Sequence, residues 1–223
     1  CWQDKEPVDE FVHRRLMQAF RLYLVIGGMP HAVQTYLDTN NLQDVLAVQK
    51  SILQEYKRDI IKYKRDDSSQ KLYIDEVFQL IPSELNAKNK RFILKSLNEK
   101  ARFASYENSF LWLRDAGVAL PTYNVEEPKQ PLLLAKTRNL FKLFQSDVGL
   151  LTSQFADGIQ LKLLADNQVI NYGAIYENVV AQELKAHGFD LYYYNSKRLG
   201  ELDFVVELVH EMQSMPKQLG SME

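Results

Sequence analysis

Along its first 116 residues the chain repeats apolar side chains at intervals of three and four, the spacing of helices with one buried face. Phe11, Leu16, Phe20 and Leu24 share one face of a helix expected over 8–24, which Gly27-Gly28-Met29-Pro30 should stop. A short helical turn over Ala32–Tyr36 and the Asn40-Asn41 pair lead into a long helix from about 42 to 65. Its stripe is Val45, Gln49, Ile52, Tyr56, Ile60 and Tyr63, flanked by Lys57, Arg58, Lys62, Lys64 and Arg65. Those cations are either the solvated back of a core-facing helix or a basic face that touches phosphate or an acidic partner.

Asp66-Asp67-Ser68-Ser69 reads as a loop and a boundary. Beyond it come helices over Tyr73–Ile81, ended by Pro82-Ser83, near Phe92–Asn98, and over Tyr106–Ala116, ended by Gly117. Two strands follow, Val118–Val125 and Leu140–Phe144, separated by a loop holding Pro128 and Pro131. Three helices and then a two-stranded ribbon is the order of a winged helix-turn-helix. Its recognition helix would be Ser105–Ala116, with Arg102, Glu107, Asn108 and Arg114 on the polar side and Tyr106, Phe110, Leu111 and Leu113 packing inward. DNA readers usually carry several Arg, Lys, Asn or Gln there; this helix carries few, so base readout and a rigid packing module both stand. Asp147-Val-Gly-Leu-Leu151 opens a third region. The expected domains are 1–67 (helical), 68–147 (winged-helix-like) and 148–223 (α/β), a mixed α/β, helix-rich chain.

The last region carries the most suggestive chemistry. On a helix starting at Gly173, Glu177 shares a face with Ala181 and Leu184, at i, i+4 and i+7. A carboxylate on an apolar face needs a partner, because burying an unpaired charge is costly. On the following strand, alternation places Glu201, Asp203, Val205 and Glu207 on one side and Leu202, Phe204 and Val206 on the other. Two carboxylates on neighbouring rigid elements are how metal-dependent phosphodiesterases hold a divalent cation, so Glu177, Asp203 and Glu201 form a candidate Mg²⁺ site. In the other reading Glu177 pairs with Arg198 or Lys197 and Asp203 faces water. Tyr192-Tyr193-Tyr194 reads as a strand whose rings alternate between core and surface, or stack on bases.

Composition narrows the classes. With 46% hydrophobic and 25% charged residues the chain is an ordinary globular one, and at net charge −2 any nucleic-acid surface must be a local patch. The one cysteine, Cys1, and four scattered histidines offer no disulfide and no zinc set, which points to a reducing cytoplasm. No apolar run approaches the roughly 20 residues that span a bilayer, so no membrane partner is expected. Because it opens on Cys1 with a strong pattern almost at once, the sequence is expected to be either a piece of a longer protein or its ordered residues alone.

Six blocks in order carry a resemblance: Gly27-Gly-Met-Pro-His-Ala-Val33, Glu55-Tyr-Lys-Arg-Asp59, Trp112-Leu-Arg-Asp-Ala-Gly117, Asp147-Val-Gly-Leu-Leu151, Tyr176-Glu-Asn-Val-Val-Ala-Gln-Glu-Leu184 and Glu201-Leu-Asp-Phe204. Together they resemble the C-terminal half of predicted prokaryotic AAA+ type ATPases, where a module of unknown function follows the ATP-binding domain. The resemblance implies helices trailing from the ATPase, a winged-helix-like unit and a domain similar to PD-(D/E)xK nucleases. In that comparison Glu177 stands for the helix glutamate and Asp203 for the first strand aspartate. The Glu-x-Lys strand that should follow is not legible in Leu208–Glu223, where Lys217 has no glutamate two residues before it. No Gly-x-x-x-x-Gly-Lys-Ser/Thr occurs, so ATP would belong to a preceding domain.

Three functions are therefore weighed. The first is a binding and regulatory module of such an ATPase, contacting DNA or a protein partner and its own ATPase domain; Lys57, Arg58, Lys62, Arg102, Asn108 and Arg114 are the nucleic-acid candidates. The second is a Mg²⁺-dependent nuclease built on Glu177 and Asp203. The third is a structural module that self-associates into an oligomer.

Overall fold

Gly27 and Gly28 fix how the N-terminal helices turn back on one another. A computed structural model describes residues 6–66, 73–87, 90–100, 102–156, 158–166, 172–196 and 198–208. Helix α1 (Glu10–Ile26) is capped by Asp9, whose carboxylate accepts the Phe11 N–H at 2.9 Å, and it stops at Gly27 with φ +75°. Pro30 begins α2 (Pro30–Thr39), where a missing N–H costs nothing, and Asn40 closes it in the left-handed region. Helix α3 (Leu42–Asp66) buries the expected stripe: Val45, Gln49 and Ile60 are fully enclosed. The side chains of Tyr63, Lys64 and Arg65 lie outside the described residues, as do Asp67–Ser69. Buried Gln49 has a definite task. Its amide donates to the Val25 and Ile26 carbonyls, both at 2.9 Å, at the end of α1 where helix geometry leaves carbonyls unpaired.

The second group departs further from the pattern. Helix α4 (Ile74–Asn86) runs straight through Pro82 instead of breaking there. Proline forfeits one helical hydrogen bond, but Ile74, Val77, Phe78, Ile81 and Leu85 all bury on one side and outweigh it. Only a 3-10 turn, Leu94–Ser96, forms where a helix was expected over 92–98. Phe92 is diverted because its N–H bonds to the Phe141 carbonyl at 2.9 Å and its ring packs on Phe110 and Phe141. Helix α5 (Phe103–Asp115) ends at Gly117, φ +67°, and leads into β1 (Ala119–Val125). A four-residue turn, α6 (Leu132–Ala135), precedes β2 (Lys136–Gln145).

Two short helices, α7 (Val148–Ser153) and α8 (Ile159–Leu164), lead to α9 (Gly173–Ala186), then β3 (Tyr192–Ser196) and β4 (Gly200–Val205). The sheet order is β2-β1-β3-β4: β1 pairs antiparallel with β2 and parallel with β3, and β3 pairs antiparallel with β4. The chain is thus mixed α/β and helix-rich. The β1–β2 ribbon lies inside a sheet shared with the last region, so the sheet crosses the expected boundary at 147/148. The apolar face expected on α1 is buried only at its end, where Leu24 and Val25 pack beside α7, α8 and α9 and Ile26 beside Ala32 and Val45; Phe11 and Leu16 stay 60% and 56% exposed.

Asp147 ties these parts together. It caps α7 by accepting the Leu150 N–H at 2.9 Å, and it accepts the Gly28 N–H at 2.6 Å. A Cβ on Gly27 would stand 2.2 Å from that carboxylate, and one on Gly149 would stand 2.5 Å from the Ile26 carbonyl oxygen. Burial pushes the Asp147 carboxyl above its ordinary value, and the surrounding backbone N–H groups draw it part of the way back. From α9, Gln182 accepts the Val148 N–H at 2.8 Å and donates to the Tyr23 hydroxyl at 2.7 Å. Asn178 brackets the end of β2, accepting the Gln145 N–H at 2.8 Å and donating to its carbonyl at 3.0 Å.

Gly149→Ala should lose about 1–3 kcal/mol in urea denaturation followed by circular dichroism, because neither the Ile26 backbone nor the helix it ends can retreat. A loss under about 0.5 kcal/mol, the range of ordinary surface changes, would mean that the α1–α7 contact is looser than described.

Candidate functional site

The three carboxylates singled out in the sequence do meet, and they meet around a lysine. Glu177 comes from the first turns of α9, Glu201 and Asp203 from β4, and between them stands Lys142 of β2. The Lys142 Nζ lies 3.3 Å from Glu177, 2.9 Å from Glu201 and 3.1 Å from Asp203. It also sits 5.2 Å from the Tyr193 ring centroid, a cation–π contact from β3. Lys142 is wholly buried, whereas its acids grade outward: the side chains of Glu177, Glu201 and Asp203 are 14%, 36% and 54% exposed. Lys90, on the loop after α4, forms a second ion pair with Glu177. Asn195 of β3 donates to Glu201 at 2.6 Å.

The electrostatics favour a charged lysine. Burial alone would draw its pKa down, but hydrogen bonds to Glu201 and Asp203 and the attraction of Glu177 outweigh that and leave it above the ordinary lysine value. Three carboxylates meet two ammonium ions here, with the Arg91 guanidinium acting on Tyr193 beside them. Lys142 Nζ occupies the point on which the three acids converge. Among the described residues no group of three or more His, Cys, Asp or Glu side chains is disposed to hold a metal.

The basic candidates fall in different places. Lys57 and Arg58 project from α3, Lys57 lining a cleft against α4, while Lys62 pairs with Asp59 at 2.9 Å. Asn108 and Arg114 are exposed on α5 and Arg102 stands just before it; Arg114 pairs with Asp115 at 2.7 Å. Glu177 does not pair with Arg198, and Lys197 lies outside the described residues, together with 209–223, where Lys217 falls. Lys142 escaped the sequence reading although a signal was present. In Leu140-Phe-Lys-Leu-Phe144 the alternation sets a cation on the same side as Leu140 and Phe144, and a buried ammonium needs an acid as surely as Glu177 needs a base. Lys90 left no comparable trace, being 87 residues from Glu177 in a loop.

Two family models match. One, described as "Domain of unknown function (DUF8612)", covers residues 17–162, and the other, "Domain of unknown function (DUF4143)", covers 172–215. The first spans more than half of the chain, and the chain belongs to that family. The site draws Lys90 and Lys142 from the first match and all three acids from the second. No curated protein and no solved structure matches the chain.

Lys142→Met keeps the buried stem and removes the charge. Because two of the acids are over a third exposed and regain water, its cost should fall below the ~3–5 kcal/mol typical of a fully buried broken pair. The sign with pH is fixed by the raised pKa. The ammonium's contribution is complete below the unfolded lysine value, about 10.4, and is lost as pH climbs through the higher folded value. Urea midpoints should therefore show the wild-type advantage over Lys142→Met shrinking only above that pH. A gap that is flat to the alkaline limit would contradict the charged-lysine description.

Proposed function

We propose that the chain is a binding and regulatory module of a predicted prokaryotic AAA+ type ATPase, whose nuclease-like acids serve the fold and not catalysis. One observation carries the choice: Lys142 Nζ, wholly buried, stands within 3.3 Å of all three acids that would otherwise bind a cation. The resemblance to the ATPase-linked module supports the same reading, because three of its blocks close on one another. The Gly28 N–H donates to Asp147 and the Val148 N–H donates to Gln182 of α9, so those blocks hold a scaffold. In this reading α5 and the β1–β2 ribbon are a winged-helix-like unit, and α9, β3 and β4 are the remnant of a PD-(D/E)xK-like domain.

A second reading keeps the chemistry. A helix glutamate, strand acids and a lysine converging on one point are the residue types of a Mg²⁺-dependent phosphodiesterase, in which the lysine would neutralise developing charge. The two readings diverge in their response to Mn²⁺. Under the module reading, millimolar Mn²⁺ leaves the melting temperature of the wild-type chain unchanged and supercoiled plasmid uncut, whereas Lys142→Ala, with its acids released, gains thermal stability from Mn²⁺. Plasmid cleavage by the wild type that is abolished by Glu177→Gln and by Asp203→Asn would replace the module reading with the nuclease.

A further inference from the structure

A groove between α5 and the β1–β2 ribbon unites features that the acid–lysine site does not use. Two clefts, about 280 and 230 Å³, share the walls Arg114, Tyr123 and Lys136. The first is extended by Lys185 and Tyr192, the second by Arg138 and Glu107. Lys136 and Arg138 line the same cleft, Arg138 at the start of the irregular stretch of β2 between Thr137 and Phe141. Tyr123 is half-buried, and the Lys136 Nζ lies 4.9 Å from its ring centroid. The cations differ in how they are neutralised. Arg114 holds Asp115 at 2.7 Å and Lys185 holds Asp190 at 3.1 Å, but Lys136 and Arg138 have no carboxylate partner among the described residues.

We propose that this groove binds the backbone of a single-stranded nucleic acid, with Lys136, Arg138 and Arg114 on successive phosphates and Tyr123 as a ring against which a base can rest. The proposal rests on the module reading above and names its partner. Unpaired cations lining a trough with an aromatic floor are the means by which single strands are bound without sequence preference. A duplex reader would instead need a protruding helix with base-reading side chains. Here α5 buries Tyr106, Phe110 and Leu113 and its outer side includes Glu107, and the ribbon beside it is engaged in the sheet through β1. With the chain at net charge −2, attraction must be local, as it is where two free cations adjoin.

Fluorescence anisotropy in EDTA with labelled dT20, rU20 and a 20-base-pair duplex, over a salt series, tests this. The wild type should bind both single strands more tightly than the duplex. Lys136→Gln/Arg138→Gln should weaken binding at least tenfold and lower the salt slope by about 1.4, at roughly 0.7 per phosphate contact on single strands. Lys57→Gln/Arg58→Gln on α3 should bind as the wild type does. Flat anisotropy at low salt, preference for the duplex, or equal loss in both double variants would overturn the groove. None of these outcomes touches the module reading, whose failure is read separately as Mn²⁺-dependent cleavage.

Discussion

The carboxylate of Asp147 is the constraint on which the arrangement depends. It caps one helix and arrests the turn at the end of another, and both tasks require it to sit where no Cβ fits beside it. Gly27 is thus a steric condition for that carboxylate, and Gly149 is one for the close approach of α7 to the Ile26 carbonyl at the end of α1. Ionisation there is costly, which is why four backbone N–H groups, from Gly28, Met29, Gly149 and Leu150, gather on it. Once α1 and α7 are locked, α9 is placed through Gln182 and the end of β2 through Asn178. The acid on α9 then has a fixed address relative to the lysine on β2.

How much of this was legible follows from the range of each interaction. Long helices with one buried stripe, such as α3 and α9, announce themselves through local spacing, and β4 does so through its alternating acids. Helix α7 does not, since all six of its residues are buried and a helix enclosed all round has no stripe to read. The parallel pairing of β1 with β3 joins residues about 70 apart and leaves no local trace, so the ribbon looked self-sufficient when it is not. At Pro82 the local rule was sound and lost to packing, for the side chains buried on α4 outweigh one missing hydrogen bond.

The site shows the same division. Glu177 was visible as an acid on an apolar face, and the inference that it needs a partner was correct; the identity of that partner depended on an element from the other family segment. Lys142 could have been found by applying that argument to strands as well as helices. What no local rule supplies is the convergence, because Lys142 reaches β4 over the Tyr193 ring of a strand that is not its neighbour in the sheet.

That shared sheet bears on how the gene could be divided. The first matched segment contributes β2 and β1, and the second contributes β3 and β4. Cut between them, the first piece would present β1 with one bare edge at Tyr123, Asn124 and Val125, unpaired backbone open to pairing with another copy. Its lysine would meanwhile lose every acid from α9 and β4. Two stretches separately recognisable as families are therefore one unit of inheritance in this chain: recombination at their junction would yield aggregation-prone halves, not exchangeable parts.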